Sequence, residues 1–222
     1  MTIDPGIMLE FLPYLLHGAL YTIVLSTVAI AIGIVMGLVI ALMKIAPLKI
    51  LRWPATAYTD FFRGTPLLVQ LMMLHYGLPQ IFHYTPVAWL DAFIGLGLNS
   101  AGYVAEIFRA GIESIDRGQT EAARSLGMTY MQAMRYVILP QAVRRVLPPL
   151  GNEYIALLKD SSLVSIIGMS ELMFRARLLN GSTYRPFEAF FTAALLYLVI
   201  TLPLTQVVAV MERKMSIGDK RS

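Results

Sequence analysis

The sequence contains no cysteine, which excludes disulfide bridges and thiolate metal sites. Charge is also scarce, because 14% of the residues are charged and soluble domains carry about 25%. A phosphate-binding G-x-x-x-x-G-K-[ST] motif is missing. The three histidines, His17, His75 and His83, lack close ligand spacing, so no metal site is expected. There is no paired His or Cys set and no nucleophile beside a base, so the sequence is not predicted to be an enzyme.

The sequence contains long apolar segments without charged residues. Hydrophobic residues make up 57% of the sequence, and residues 18–43 and 189–211 contain no charged residue. At 1.5 Å per residue, each of these two runs is long enough to cross a hydrocarbon core of about 30 Å. The sequence therefore predicts an integral membrane protein. Its expected partners include the lipid membrane and do not include nucleic acid.

Three further segments complete the predicted topology. The uncharged region 64–90 is interrupted by prolines and glycines, which divides it between two spans. A weaker apolar run at 145–168 carries Glu153, Lys159 and Asp160. The prediction is an all-α, polytopic chain forming one transmembrane domain over 1–222. It has about five spans, at approximately 18–43, 56–77, 87–111, 145–168 and 189–211.

The distribution of basic residues predicts the orientation of these spans. Thirteen Lys and Arg lie in the connecting segments 44–55, 109–145 and 212–222, whereas three lie in the segments on the opposite side. Because cytoplasmic loops carry the excess of basic residues, the first set is predicted to be cytoplasmic. The N-terminus is then outside and the C-terminus inside.

The longest cytoplasmic connection, about 112–142, has a helical pattern of its own. Asp116 can cap a helix, with Gln119 as its reciprocal partner. Charges at i, i+4 spacing continue through Arg109, Glu113, Arg117 and Glu121. Gly127 permits a sharp bend after the small and apolar surface of Ala122, Ala123, Leu126 and Met128. From pattern alone, this segment either docks into a groove on another protein or lies in the lipid headgroups.

This connection resembles the EAA loop of binding-protein-dependent ABC importer permeases. The matching residues are Glu121, Ala122, Ala123, Gly127, Val137, Leu139 and Pro140. The blocks FFRGTPLLVQL, SAGYVAEIFRAGIESI and VILPQAVRRVLPPLGNEYIALLKDSSL resemble the branch that imports polar amino acids, of the histidine, arginine and glutamine permease type. The resemblance covers roughly residues 18–211. Val137 replaces the usual Ile, and Asp116 stands where the family often has Pro.

The resemblance implies a type I ABC importer permease fold and a location in the bacterial inner membrane as a multi-pass protein. It implies a transport subunit whose partners are a dimer of cytoplasmic ATP-binding subunits, a second permease subunit (identical or related) and an external substrate-binding protein. ATP and Mg²⁺ would be bound by the ATPase, so no cofactor is expected in this chain. The residues expected to couple to the ATPase are Glu121, Ala122, Ala123, Arg124, Leu126 and Gly127.

Polar residues within the spans are candidates for the substrate pathway. A charged side chain at mid-bilayer costs about 2.5–3.5 kcal/mol, so such residues are expected to face protein, one another or water. Glu153 and Asp160 are seven residues apart and therefore share a helix face. A substrate ammonium or guanidinium group could pair with Glu153, or these acids could form internal ion pairs with Lys159.

Two other segments contribute candidates to the same pathway. A helix broken at Gly64, Thr65 and Pro66 would expose backbone N–H groups suited to a substrate carboxylate, although an ordinary proline kink fits the same residues. Asn99 and Ser100 are wall candidates. Glu106 and Arg109 are expected to form a structural ion pair rather than a transport site.

Two other functions were weighed against the amino-acid importer. Within the ABC importer interpretation, the alternative is a permease for another small polar solute. An ion-coupled secondary transporter would also place acids within spans, but such folds usually show internal repeats and more spans.

Overall fold

The computed structural model describes residues 4–219, and the side chains of 4–215. This part of the chain is built from helices and contains no strand. Its α-helices are α1 (Pro5–Ile45), α2 (Lys49–Gly64), α3 (Leu67–Met72), α4 (Leu78–Phe82), α5 (Ala88–Glu113), α6 (Arg117–Ser125), α7 (Tyr130–Ala133), α8 (Leu139–Asp160), α9 (Leu172–Thr183) and α10 (Pro186–Asp219). Single turns of π-helix, Met73–Gly77 and Met134–Ile138, precede α4 and α8, and a 3₁₀ segment, Ser161–Ile167, follows α8.

The longest helix pair, α1 and α5, packs closely through small residues. A Cβ atom on Gly33 would lie 2.6 Å from the Ser100 hydroxyl, and one on Gly37 would lie 2.8 Å from the Val104 side chain. Glycine at these two positions therefore allows the two backbones to approach. The i, i+4 spacing of the two glycines places both contacts on one face of α1.

Two apolar clusters hold the other helices around α1. The first joins α1 to α3, α5, α8 and the 3₁₀ segment, with Leu25, Leu71, Leu96, Leu157 and Val164 fully or almost fully buried. The second joins the first half of α1 to α9 and α10. Helix α1 is thus the common wall of both clusters, which fixes the inner faces of α5 and α8.

A break divides the predicted segment 56–77. Helix α2 ends at Gly64, Thr65 and Pro66 have extended backbones, and α3 begins at Leu67. The proline cannot donate a backbone hydrogen bond, and it restricts the residue before it to extended conformations. The extended residues Thr65 and Pro66 therefore separate α2 from α3, and this break lies against α5.

The segment 145–168 is also not one regular α-helix. Helix α8 begins earlier, at Leu139, and ends at Asp160. The Ser161 hydroxyl donates to the Leu158 carbonyl at 2.7 Å, and the 3₁₀ segment then closes at Gly168, whose φ is +86°. The serine side chains compete for the helical carbonyls, which favours the tighter turn.

Within the described residues, two helices are individually long and apolar enough to cross a membrane, Pro5–Ile45 and Pro186–Met215. A shorter apolar helical stretch covers Leu67–Phe82. The remaining predicted spans carry charges or breaks that lower their mean hydropathy. The number of spans and their orientation stay predictions from the sequence.

Candidate substrate pathway and coupling surface

The helix break between α2 and α3 forms one wall of a polar cleft of about 430 Å³. The cleft brings together five of the residues singled out in the sequence, which come from three separate regions of the chain. They are Gly64, Thr65, Pro66, Asn99 and Asp160, joined by Arg63, Leu67, Tyr103 and Leu163. Asp160 is exposed at the end of α8, so its carboxylate is accessible from the cleft.

Gln70 fixes the shape of the break. Its amide nitrogen donates to the Phe62 carbonyl at 3.0 Å, to the Thr65 carbonyl at 3.0 Å and to the Thr65 hydroxyl at 2.8 Å. The amide of Asn99 in turn donates to the Gln70 side-chain oxygen at 3.0 Å and to Phe62 at 3.3 Å. Carbonyls freed by the break are therefore satisfied by two buried amides.

The sequence analysis missed Gln70. The signal was present, because Gln70 is the only amide side chain in the uncharged run between Arg63 and Gly77. The binding of a substrate carboxylate by backbone N–H groups at the break is not tested by these contacts and stays a prediction. The N-terminus of α3 has no side-chain cap, whereas the bonds from Gln70 and Asn99 serve carbonyls.

A second cleft, of about 470 Å³, holds Glu153. Its other polar lining residues include Arg63, Tyr103, Glu106, Ser114 and Arg145. Arg63 and Tyr103 line both clefts, so the two spaces adjoin. Glu153 and Asp160 share a face of α8 as predicted, but each faces a different cleft.

The expected pair of Glu106 and Arg109 is confirmed as part of a larger ionic cluster. Arg109 donates to Glu106 at 2.7 and 3.0 Å, and also to Glu113. Lys44, at the end of α1, donates to Glu106 and to the Thr59 hydroxyl of α2. The cluster therefore ties α1, α2 and α5 together, and its Glu106 also lines the Glu153 cleft.

Ser100 does not line either cleft. It is fully buried, and it lies against Gly33 in the α1–α5 contact. Position 100 follows Asn99 directly, and successive residues of a helix point about 100° apart, so Ser100 is directed away from the Asp160 cleft and its hydroxyl lies near the Glu153 carboxyl. Lys159 is exposed, and its charge acts on the carboxylate of Asp160, the next residue, without a direct ion pair between the two described side chains.

The histidines are not gathered into a metal site within residues 4–215. His75 lies in the π-helical turn after α3, and its Nδ1 is 2.6 Å from the Asp91 carboxylate of α5. Both side chains are buried. The pair is a link between two elements that the sequence analysis did not predict.

The EAA segment forms helix α6, and Asp116 caps its N-terminus as predicted. The Asp116 carboxylate accepts from the Gly118 N–H at 2.6 Å. The predicted reciprocal role of Gln119 is wrong, since its side-chain oxygen accepts from Gln141 of α8 at 3.4 Å. A complete capping box is found instead at α7, between Thr129 and Gln132.

The predicted row of i, i+4 charges is interrupted. Arg109 pairs with Glu113, but α5 ends at Glu113 and α6 begins at Arg117. The turn between them changes the helix direction, so Arg117 does not continue the same face. A bond from Arg145 to the Ser114 carbonyl holds this turn to α8.

Helix α6 and the turn after it expose five of the six predicted coupling residues. Ala123 is buried, whereas Glu121, Ala122, Arg124, Leu126 and Gly127 are exposed. Leu126 is 82% exposed, and Gly127 has a φ of +85°, which ends the helix in a sharp turn. Apolar side chains nearby, Met131 and Tyr136, are also exposed, at 71% and 64%.

The chain is similar to transport proteins along its whole length. It is 40% identical to the arginine transport system permease protein of Bacillus subtilis (strain 168), over 99% of this chain and 100% of that protein. It is 43% identical to a probable amino-acid ABC transporter permease of Vibrio harveyi, over 97% and 98% of the two chains.

Solved structures give the same fold. The crystal structure of an amino acid ABC transporter with histidines has a chain 45% identical to this one, with a TM-score of 0.92 over 96% of this chain and 100% of that one. An inward-facing MetNI methionine ABC transporter matches with a TM-score of 0.75 at 20% identity, over 96% and 99% of the two chains, and this match bears on the fold alone.

The family described as binding-protein-dependent transport system inner membrane component matches residues 29–217, which include both clefts and the whole EAA segment. This range and the identities above exceed what a shared fold alone would give. The chain belongs to the family of inner-membrane components of binding-protein-dependent transport systems.

Proposed function

We propose that this chain is the transmembrane permease subunit of an ATP-driven amino-acid importer, and that its substrate is a polar, cationic amino acid. The relatives named above include an arginine transport system permease and an amino-acid ABC transporter permease. The two adjoining clefts, each with one carboxylate on α8, support a cationic substrate. Charge-assisted hydrogen bonds to Glu153 and Asp160 would replace the hydration of its cationic groups.

The observation that carries the coupling role is the exposure of α6. Leu126, at the end of a short capped helix in a polar connection, is an apolar side chain that the described residues leave 82% exposed. The small Ala122 leaves room for a groove to close around the helix. We propose that the partner is a dimer of cytoplasmic ATPase subunits, and that rigid-body motion of α6 transmits its closure to α5 and α8.

The remaining parts of the assembly follow from the family. A second permease subunit, identical or related, would complete the pathway, and an external binding protein would deliver the substrate. ATP and Mg²⁺ would be bound by the ATPase. The chain would lie in the bacterial inner membrane with several spans, and its transport role would involve no reaction of its own.

Purification from the native membrane in mild detergent tests the coupling role. The unaltered chain should carry an ATP-binding subunit in near-equal amount, identified by mass spectrometry. Glu121→Lys reverses a charge on the exposed face of α6 and should reduce the recovered ATPase at least about tenfold, since a contact complementary to Glu121 would then bring like charges together, which costs several kcal/mol. Glu10→Lys, an exposed acid in the first turns of α1, is the control and should recover the ATPase in full.

Cross-linking gives a second, independent measurement. The chain has no cysteine, so Leu126→Cys provides a single thiol on α6. A short bifunctional reagent should join it to the ATPase subunit. Absence of an ATPase from both experiments would overturn the importer proposal.

A further inference from the structure

Arg175 of α9 lies across α1 between two tyrosines. Its guanidinium carbon is 4.7 Å from the centre of the Tyr14 ring and 5.7 Å from the centre of the Tyr21 ring. The two tyrosines are seven residues apart on α1, so they share one face of that helix. Gly18 lies between them and makes room for the arginine, because a Cβ there would lie 2.8 Å from the Arg175 side chain. Cation–π contacts therefore hold the guanidinium at a fixed place on α1.

The charge of Arg175 is not neutralised by the described part of the chain. No ion pair joins it to an acid among residues 4–215. One Nη group donates to the Tyr14 carbonyl at 3.2 Å, and the buried Nε has no hydrogen-bond partner in that range. A buried donor without a partner is unfavourable, so the arrangement favours an additional acceptor from outside the chain.

The acids nearest to Arg175 in sequence and along α1 do not supply that acceptor. Glu171, at the start of α9, is fully buried, and its carboxylate accepts from the Met173 and Phe174 N–H groups at 2.8 and 2.7 Å. Glu10 lies about one turn of α1 before Tyr14, and it makes no ion pair within the described residues. Arg175 is therefore a positioned cation that still lacks an anion.

The site opens onto an exposed apolar stripe of α1. Leu20, Val24 and Val28 recur every four residues, and all three are exposed. Val24 and Val28 follow Tyr21 by one and two turns of the helix, so the stripe begins beside the tyrosine. In the predicted topology Tyr14 and Tyr21 lie at the outer end of the first span, and tyrosine is enriched at membrane–water interfaces. The cation thus lies at headgroup level, directly above a surface suited to acyl chains.

We propose that Arg175, Tyr14 and Tyr21 bind the headgroup phosphate of an anionic phospholipid in the outer leaflet. The guanidinium presents a planar fork of N–H donors that matches phosphate oxygens. The two phenolic hydroxyls make no hydrogen bond within the described residues, and they are further donors. The acyl chains would lie along the stripe formed by Leu20, Val24 and Val28.

The stripe favours a lipid over an acidic side chain of another protein. A phospholipid brings its phosphate and its acyl chains together, so it covers both the cation and the apolar surface beside it. A phosphatidylglycerol headgroup also leaves its negative charge for Arg175, whereas a phosphatidylcholine headgroup carries a cation of its own. The site lies on α1 and α9 and shares no residue with the two clefts or with α6, so it is separate from the proposed pathway and coupling surface.

Lipid titration of the permease complex purified in mild detergent tests the site. The complex is first delipidated, and native mass spectrometry then counts the phosphatidylglycerol molecules bound per permease chain. The unaltered chain should bind one phosphatidylglycerol more tightly than phosphatidylcholine. Arg175→Gln should weaken this binding about 10- to 100-fold, as expected for the loss of hydrogen bonds to a charged group, and should remove the preference.

Two conservative variants separate the charge from the geometry. Arg175→Lys keeps the charge without the planar fork, so it should retain the preference for phosphatidylglycerol with a smaller loss of affinity. Tyr21→Phe keeps the ring and removes the hydroxyl, and it should weaken binding about 2- to 10-fold. Should Arg175→Gln fail to give a monodisperse complex, unchanged affinity in both of these variants would overturn the proposal.

Arg177→Gln is the matched control. Arg177 is an exposed arginine two residues further along α9, and it donates to the Ser165 carbonyl at 3.4 Å. This variant should leave the affinity for phosphatidylglycerol unchanged. Equal loss in Arg175→Gln and Arg177→Gln, or loss in neither, would overturn the site.

Two further results would overturn the lipid assignment. Displacement of the bound phosphatidylglycerol by excess inorganic phosphate would show that the site takes the free anion. Unchanged lipid binding in Arg175→Gln, together with weaker retention of the external binding protein, would assign Arg175 to a contact with an acidic protein surface. Each outcome leaves the proposed transport function intact, because the readout is lipid binding and not transport.

Discussion

Glu106 is the residue on which three helices depend. It accepts hydrogen bonds from Lys44 of α1 and Arg109 of α5, and Lys44 also contacts Thr59 of α2. Its side chain is only 15% exposed. A neutral residue at position 106 would leave Lys44 and Arg109 without this carboxylate as their partner.

Glu106→Gln should therefore lower the free energy of unfolding by about 3 kcal/mol, the lower end of the range for breaking a buried ion pair. Thermal unfolding of the purified chain in detergent measures the effect. Glu113→Gln is the control, because its side chain is 52% exposed and pairs with the same arginine. It should cost about 1 kcal/mol or less, and equal losses in both variants would contradict the structural role of Glu106.

At the scale of elements, the contact between α1 and α5 sets the frame of the pathway. Gly37→Leu should place a side chain where a Cβ already approaches Val104 to 2.8 Å. Overpacking of this kind costs about 1–3 kcal/mol, and it would push α5 away from α1. We expect loss of monodisperse protein on size-exclusion chromatography and a lower melting temperature.

The control for that contact is Gly181→Leu in α9. A Cβ at Gly181 would meet no atom within 4 Å. Leucine there should leave the elution profile and the melting temperature unchanged. If both glycine variants behaved alike, the effect would come from helix propensity and not from the α1–α5 contact.

The break between α2 and α3 is a second element held by one side chain. Gln70→Leu removes the donors to the Phe62 and Thr65 carbonyls, and a buried carbonyl without a partner costs about 1–3 kcal/mol. We expect transport in proteoliposomes to fall at least about tenfold, because the wall of the Asp160 cleft loses its fixed position. Gln70→Glu keeps an acceptor but has no amide donor, so transport should fall in this variant as well. Full transport in either variant would show that the break holds its position without Gln70.

At the scale of the whole molecule, the orientation is open to a direct measurement. The natural absence of cysteine gives a background-free chain for single-cysteine labelling. Ser182, at the end of α9, and Ser125, at the end of α6, are both exposed and lie on opposite sides in the predicted topology.

A membrane-impermeant maleimide should label Ser182→Cys in intact spheroplasts. It should label Ser125→Cys only after the membrane is permeabilised. The reverse pattern would contradict the orientation predicted from the basic residues. Labelling of both positions in intact spheroplasts would place both on the outside. It would contradict the single predicted span between them and the cytoplasmic location predicted for the EAA segment.

The sequence by itself determined the class of protein and the family, and it predicted the short helix of the EAA segment. These depend on local properties: apolar runs long enough for a membrane, the Asp116 cap, the left-handed turn at Gly127, and a short motif whose residues are neighbours in the chain. The sequence also offered a helix break at Pro66 as an alternative to an ordinary kink, because proline acts on its own backbone and on the residue before it.

Only the tertiary structure decided which polar residues share a space. Asn99 and Ser100 are adjacent in sequence, yet one borders the Asp160 cleft and the other is buried against Gly33, since a helix turns about 100° per residue. Gln70, Arg63 and Tyr103 acquire their places from the packing of α2 and α3 on α5, which joins segments about 30 residues apart. Residues brought together by such long-range packing leave no local pattern, and this is why the sequence singled out Glu153 and Asp160 but not Arg63, which lines both of their clefts.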